Sequence, residues 1–193
     1  MGDERAGVGD VRGGDEGGDG GGDVCGDAAG GGELERLGFF GLLALEPFGS
    51  GNVIPHERIF ERFRDNRYRL LEQSHADFEP VFMLHRDPDG VVRREIAAAG
   101  RPLDRGELDG QSFEMGAIDD PAACARISAF LAGRPVMIAD GHHRYQACLR
   151  YGLDHPEEPG AGRVLAYFAD LDAPELLILP THRYVPAAPP LAS

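Results

Sequence analysis

Eight consecutive residues near the middle of the chain combine the side chains and backbone features of an anion-binding site. The segment Ile138–Tyr145 reads Ile-Ala-Asp-Gly-His-His-Arg-Tyr and continues the apolar pair Val136 and Met137. An apolar run that breaks at Asp-Gly and resumes with helix-forming residues predicts a buried strand, a tight turn and then a helix. We therefore expect a strand over Val136–Ala139 and a helix that begins at about His142.

The start of such a helix can bind phosphate. Its first backbone N–H groups point out of the helix end, and the helix dipole is positive there. Gly141 would let the backbone approach a ligand closely, His143 would lie in the first turn, and Arg144 could form a forked hydrogen bond with phosphate oxygens. Asp140 could bind Mg²⁺ or orient the catalytic candidate His142. The structural alternative is a plain Asp-Gly turn in which Asp140 only caps the helix.

A second candidate group is Pro55-His56-Glu57, which lies between a predicted strand at Val53–Ile54 and a helix predicted from Arg58 onward. His56 and Glu57 could act as general bases or metal ligands. Alternatively, Glu57 only stabilises the amino terminus of the helix. Arginines follow at helical spacing, and of these Arg64 or Arg67 could reach an anionic ligand.

A third group, Pro180-Thr181-His182-Arg183, follows a predicted strand at Leu176–Leu179. His182 and Arg183 are therefore additional candidates for phosphate binding. A loop without a function fits these residues equally well.

Together these three segments resemble a bacterial family known as domain of unknown function 1015, over about Gly38–Val185. The chains of that family are about twice as long, so the resemblance implies that this chain is a truncated member. More distantly, Asp-Gly-His-His-Arg is similar to the phosphate-binding motif of the ParB–sulfiredoxin superfamily. That likeness implies a small mixed α/β core, a nucleotide ligand and a role for Glu57 at the substrate hydroxyl.

The remaining pattern alternates strands and helices and predicts a mixed α/β (α+β) domain with a small sheet and flanking helices. Further strands are expected at Leu37–Leu45, Val81–His85, Ser112–Ile118 and Val164–Phe168. Further helices are expected from Asp120-Pro121 to about Leu131 and, after His142, to just before Gly152. Residues 91–111 are too weakly patterned for a prediction.

The ends of the chain differ in composition from its middle. Residues 1–32 hold fourteen glycines and eight acidic residues, so they have little to bury, and we expect a disordered tail. We expect residues 33–185 to form a truncated α/β domain, followed by a proline- and alanine-rich end at 186–193. Because Leu176–Leu179 would be a strand without its full set of partners, a homo-oligomer is possible.

Charge and cysteine content exclude several classes of protein. The chain has 19 basic and 33 acidic residues and a net charge of −14, which disfavours nucleic acid as a partner. Every basic residue is arginine, which excludes a Schiff-base or phosphate-loop lysine. The three cysteines form no Cys-x-x-Cys pair, which argues against a zinc ribbon. No apolar run suggests a signal peptide or membrane span, so we expect a cytoplasmic protein.

Three functions fit these features. The first is a nucleotide-dependent phosphotransferase or phosphohydrolase that uses Mg²⁺ with ATP or ADP and acts on a small hydroxylated metabolite such as an amino acid. The second is a non-catalytic ligand-binding module or an inactive fragment. The third is a metal-dependent hydrolase, with metal ligands drawn from His56, Glu57, Asp140, His142 and His182.

Overall fold

The computed structural model describes residues 6–13, 35–56, 61–108 and 111–176, of which 6–13, 61–64, 99–100 and 108 are described as backbone alone. The strands are β1 Ala6–Gly13, β2 Glu35–Ala44, β3 Val53–Ile54, β4 Val81–His85, β5 Gly100–Leu108, β6 Gln111–Ile118, β7 Val136–Asp140 and β8 Arg163–Asp170. The helices are α1 Glu61–Ser74, α2 Val91–Ala99, α3 Pro121–Leu131 and α4 His142–Asp154.

The strands form one mixed sheet in the order β3-β7-β4-β8-β2-β1-β6-β5. The pairs β3–β7 and β4–β8 are parallel, whereas β4–β7 and β2–β8 are antiparallel. The helices pack in two pairs, α1 with α4 and α2 with α3. This arrangement confirms the predicted mixed α/β class.

Strand β1 lies between β2 and β6 and joins the first five strands of that order to the β5–β6 hairpin. It falls within residues 1–32, where the composition predicts no regular structure. The difference has a physical reason, because a strand between two neighbours is held by backbone hydrogen bonds, which glycine provides as well as any other residue. The rest of residues 1–34 lies outside the described part of the chain.

The core lies where the central strands meet the helices. Strand β4 is buried at four of its five residues, as expected for a strand covered on both faces. Each fully buried valine, isoleucine or phenylalanine contributes about 1.5–3 kcal/mol to folding. The apolar side chains with 0% exposure are Val81, Met83, Ile138, Tyr145 and Ala166.

Helix α2 and strand β5 occupy the segment for which the sequence makes no prediction. The carboxylate of Asp87 accepts hydrogen bonds from the backbone N–H groups of Val91 (2.7 Å) and Arg93 (3.1 Å), which satisfies the start of α2. Among residues 91–98 of this helix, only Val92 and Ile96 are deeply buried, four residues apart. Such a short apolar stripe is too weak a signal to detect against the arginines around it.

Helix α4 is longer than the sequence suggests, because it continues through Gly152 to Asp154. Gly152 is not a helix terminator. A Cβ atom at this position would lie 2.3 Å from the carbonyl oxygen of Ala161, so glycine is required where the 161–162 turn crosses the helix.

Gly152→Ala should therefore destabilise the protein by about 1–3 kcal/mol through overpacking. Without that contact, the same change inside a helix usually stabilises by about 0.5–1 kcal/mol. Gly162→Ala is the matched control, because a Cβ atom there meets nothing within 4 Å. Urea unfolding of both variants measures the difference, and a stabilised Gly152→Ala protein would contradict the close approach.

His85, the last residue of β4, is a polar side chain in the core. It is 4% exposed, its ring lies edge-on to Phe39, and neither ring nitrogen has a hydrogen-bond partner among the described residues. Burial lowers the pKa of His85 below its usual value, and the carboxylates of Asp170 and Asp87 oppose this shift. The native state consequently disfavours the protonated form of this histidine relative to the unfolded chain.

The stability of the protein should fall as the pH drops below about 6.5. In that range the unfolded chain binds a proton at His85 that the native chain does not bind, so unfolding becomes more favourable. Urea unfolding at several pH values gives the free energy of unfolding as a function of pH. This free energy should change less steeply with pH for His85→Phe than for the parent protein, since only the parent has the buried imidazole. Parallel pH profiles for the two proteins would show that His85 is not responsible.

Candidate functional site

The candidate site lies where β7 ends and α4 begins. Strand β7 reaches Asp140, Gly141 adopts φ = 96°, and α4 starts at His142. The first hydrogen bond of the helix runs from the N–H of Tyr145 to the carbonyl oxygen of Gly141 at 2.9 Å. The predicted strand, turn and helix are therefore confirmed.

A pocket of about 460 Å³ opens at this helix start, between α4 and α1. From the α4 side it is lined by the five consecutive residues Asp140–Arg144. From α1 it receives Asn66, Arg67 and Leu70, so one of the two arginines suggested for ligand contact lies on its wall. His143 and Gly141, both predicted to contact phosphate, are also wall residues.

Arg144 is anchored by contacts with three residues, Asp140 and the adjacent pair Glu79 and Pro80. Its Nη2 donates to Oδ2 of Asp140 at 2.5 Å, its Nη1 donates to the carbonyl oxygen of Pro80, and its Nε lies 3.6 Å from Oε2 of Glu79. The Arg144 side chain is 20% exposed, whereas that of Asp140 is 73% exposed. Arg144 therefore joins the start of α4 to the residues that precede β4, and its charge still lines the pocket.

His142 is one of the residues that line the pocket, although it is only 2% exposed. Its Nε2 accepts a hydrogen bond from the backbone N–H of His56 at 3.2 Å. A nitrogen that accepts this bond carries no proton, so His142 is a neutral imidazole with its proton on Nδ1. With Nε2 used in this way, His142 positions His56 and does not offer Nε2 to a metal.

His56 lies against His142, with ring centroids 4.6 Å apart and the rings nearly perpendicular. Its Nδ1 lies 2.6 Å from the carbonyl oxygen of Ile138 and must be the donor, because a carbonyl only accepts. In the neutral ring this leaves the lone pair on Nε2, and the side chain as a whole is exposed. An oriented histidine at an exposed position is suited to general-base chemistry.

Tyr145 fixes the first turn of α4 from the core side. Its hydroxyl donates to the carbonyl oxygen of Glu46 at 2.9 Å and accepts from the N–H of Glu46 at 3.0 Å. The ring stacks on Phe48 with centroids 5.2 Å apart. Burial raises the pKa of Tyr145, so this hydroxyl remains protonated and structural.

Cys148, one turn further along α4, is also a core residue, as its apolar surroundings in the sequence suggest. Its sulfur lies 3.5 Å from Oδ1 of Asp77, and burial raises the pKa of the thiol far above its usual value. A thiol held protonated in this way is a poor nucleophile. Cys148 therefore plays no chemical part in the neighbouring site.

The structure brings together His56, Asp140, Gly141, His142, His143 and Arg144 from the predicted set. Three other predicted site residues, Glu57, His182 and Arg183, lie outside the described residues, as does most of the strand predicted at Leu176–Leu179. Within the described part of the chain, no three histidine, cysteine or acidic side chains are grouped so that they could bind a metal ion. Asp140, with a side chain that is 73% exposed, is the carboxylate among the residues that line the pocket.

Sequence reasoning did not find several contributors to this site. Glu79, Pro80, Asn66 and Leu70 come from distant parts of the chain, and the carbonyl oxygen of Ile138 is a backbone group. Only the spacing of Asn66, Arg67 and Leu70 on one side of α1 was available as a signal. The contacts of Glu79 and Pro80 depend on how the residues before β4 cross the start of α4.

Comparison with known proteins places the site within a family. No curated protein and no solved structure matches the chain. Among the described residues, no helix has the length and apolar character needed to cross a membrane. One family model, Protein of unknown function (DUF1015), matches residues 27–193, which include all the site residues named above. The chain therefore belongs to the DUF1015 family.

Proposed function

We propose that the pocket at the start of α4 binds the phosphate groups of a nucleotide and that the protein transfers phosphate to a small hydroxylated metabolite, such as an amino acid. The observation that carries this proposal is that the pocket opens onto Gly141 and the start of α4. Gly141, at φ = 96° and without a Cβ atom, exposes the positive end of a 13-residue helix to a space of about 460 Å³. Arg67 and Arg144 add two cationic walls.

The residues around the pocket match the needs of phosphoryl transfer, which depends mainly on positioning and charge neutralisation. The helix start and the two arginines would hold the phosphate oxygens. The exposed carboxylate of Asp140 would hold Mg²⁺, which neutralises charge on the transferred group when bound. His56 lies next to the pocket, with its ring against that of the lining residue His142, and its Nε2 would accept the proton of the substrate hydroxyl, with Glu57 as the alternative base.

A second candidate is a binding module without turnover. It is favoured by the ion pair of Asp140 with Arg144, which occupies one carboxylate oxygen that Mg²⁺ would otherwise use. The two functions share the same ligand and differ only in turnover, so one set of experiments separates them.

Calorimetry with ATP, ADP and a simple phosphate ester, with and without Mg²⁺, tests the proposal. Arg67→Gln should weaken nucleotide binding about tenfold, because it removes a charge-assisted contact. Arg69→Gln, on the same helix but outside the pocket, is the matched control and should bind like the parent. Binding without phosphate transfer would favour the binding module, and no binding of any of these ligands by the parent protein would refute both functions.

A further inference from the structure

A single carboxylate, that of Glu79, is paired with both arginines of the pocket wall. Its Oε2 lies 3.6 Å from Nε of Arg144 and 3.8 Å from Nη2 of Arg67. Glu79 itself does not line the pocket. It lines a smaller cleft on the other side of the same two arginines, so the arginines separate the pocket from the carboxylate.

The two arginines depend on Glu79 to different degrees. Arg144 is also held by Asp140 and by the carbonyl oxygen of Pro80. For Arg67, by contrast, Glu79 is the only charged partner within the described part of the chain, and this side chain is 47% exposed. Removing Glu79 would therefore leave Arg144 in place and release Arg67.

We propose that Glu79 competes with the bound anion for Arg67 and Arg144, and that it thereby sets both the affinity and the charge preference of the pocket. This inference rests on the proposed phosphate-binding function. A ligand with one negative charge brings the same charge to the arginines as the carboxylate of Glu79, so it gains little by displacing that carboxylate. A dianionic phosphate monoester brings a second charge to the same two arginines and displaces the carboxylate, so this class of ligand is preferred.

The distances are consistent with a partner that can be displaced. Both exceed hydrogen-bonding length, and the Glu79 side chain is 54% exposed. Ion pairs with this exposure are weak, and the charge-assisted hydrogen bonds of a bound phosphate can outweigh them. If Glu79 only positioned the arginines for the ligand, its removal would weaken binding, whereas competition makes its removal strengthen binding. The sign of the change therefore separates the two roles.

The test uses two ligands of the same shape and different charge, phenyl phosphate and phenyl sulfate, titrated at pH 8. The second pKa of a phosphate monoester is about 6, so phenyl phosphate is a dianion there and phenyl sulfate a monoanion. The parent should bind phenyl phosphate at least about tenfold more tightly than phenyl sulfate, as expected for an added charge in a partly buried site. Glu79→Gln should bind phenyl phosphate about fivefold more tightly than the parent does. This is the largest change in affinity expected from the removal of one exposed ion pair.

Glu72→Gln is the matched control. It removes one negative charge, as Glu79→Gln does, but at a residue of α1 that does not line the pocket. Its affinity for phenyl phosphate should stay within about twofold of the parent. In an Arg67→Gln background, the gain from Glu79→Gln should shrink, because the arginine released by Glu79 is absent. Thermal melts of each variant verify that it is folded.

Unchanged or weaker phenyl phosphate binding by folded Glu79→Gln would overturn the inference, and so would equal binding of the two ligands by the parent. Both results leave the proposed function standing, since the parent still binds a phosphate ester. Failure of the parent to bind phenyl phosphate, ATP or ADP would instead refute the proposed function together with the inference.

Discussion

Replacing His56 with asparagine is expected to slow phosphate transfer by about a hundredfold or more, with little change in nucleotide affinity. The asparagine amide can still donate to the carbonyl oxygen of Ile138, as Nδ1 of His56 does at 2.6 Å. It has no counterpart of the Nε2 lone pair, so only the base is removed. Steady-state kinetics and calorimetry on the same protein measure the two effects separately.

Two further variants make this prediction specific. His75→Asn makes the same chemical change at an exposed residue with φ = 51°, a conformation that asparagine tolerates, and it should leave the rate unchanged. Glu57→Gln tests the other candidate base. If Glu57→Gln slows phosphate transfer and His56→Asn does not, then Glu57 is the base and the role assigned to His56 is wrong.

Gly141→Ala is expected to lower the free energy of unfolding by about 2–3 kcal/mol and to weaken phosphate binding about tenfold. Two costs add at this residue. A φ of 96° disfavours any residue with a Cβ atom, by about 1–2 kcal/mol. The added Cβ atom would also lie 3.3 Å from Cα of Val81 and 3.2 Å from Cζ of Arg144, so the buried strand and the pocket arginine must both shift.

Gly133→Ala separates these two costs. Gly133 also has a positive φ, 73°, but a Cβ atom there meets nothing within 4 Å. It should therefore show the backbone cost alone, about 1–2 kcal/mol, and normal phosphate binding. Urea unfolding and calorimetry of the two variants provide the comparison. Equal losses of stability, with binding intact in both, would mean that the contacts at Gly141 have no consequence for the site.

The local elements of this site were predictable because short-range rules act on them. Four apolar residues before Asp-Gly predict the end of β7, and the residues after them predict the start of α4. Asp120-Pro121 predicts the start of α3 in the same way, and Asp120 does accept hydrogen bonds from the N–H groups of Ala122 and Ala123. The family resemblance rested on three short segments for the same reason, since each carries its residues at fixed local spacing.

The roles within the site were decided by contacts between distant residues. The sequence by itself marks His56 and His142 as candidates, but it cannot assign one as a positioning residue and the other as a base. The roles that we propose for these two histidines rest on a hydrogen bond across 86 positions of sequence. Similarly, the sequence identifies Arg144 as a pocket cation but not Glu79 as its partner, 65 positions away.

The same distinction explains the differences in fold. Glycine commonly ends a helix, and the sequence therefore predicts the end of α4 before Gly152. Instead α4 continues through Gly152, where glycine is required because a turn crosses the helix at this position. Strand β1 has almost no side-chain signal, because its pairing uses backbone groups that every residue carries. The sequence thus determined which segments could form a phosphate site, through residue type and local spacing. The tertiary structure decided which side chains face one another there, because those contacts depend on strand order and helix packing.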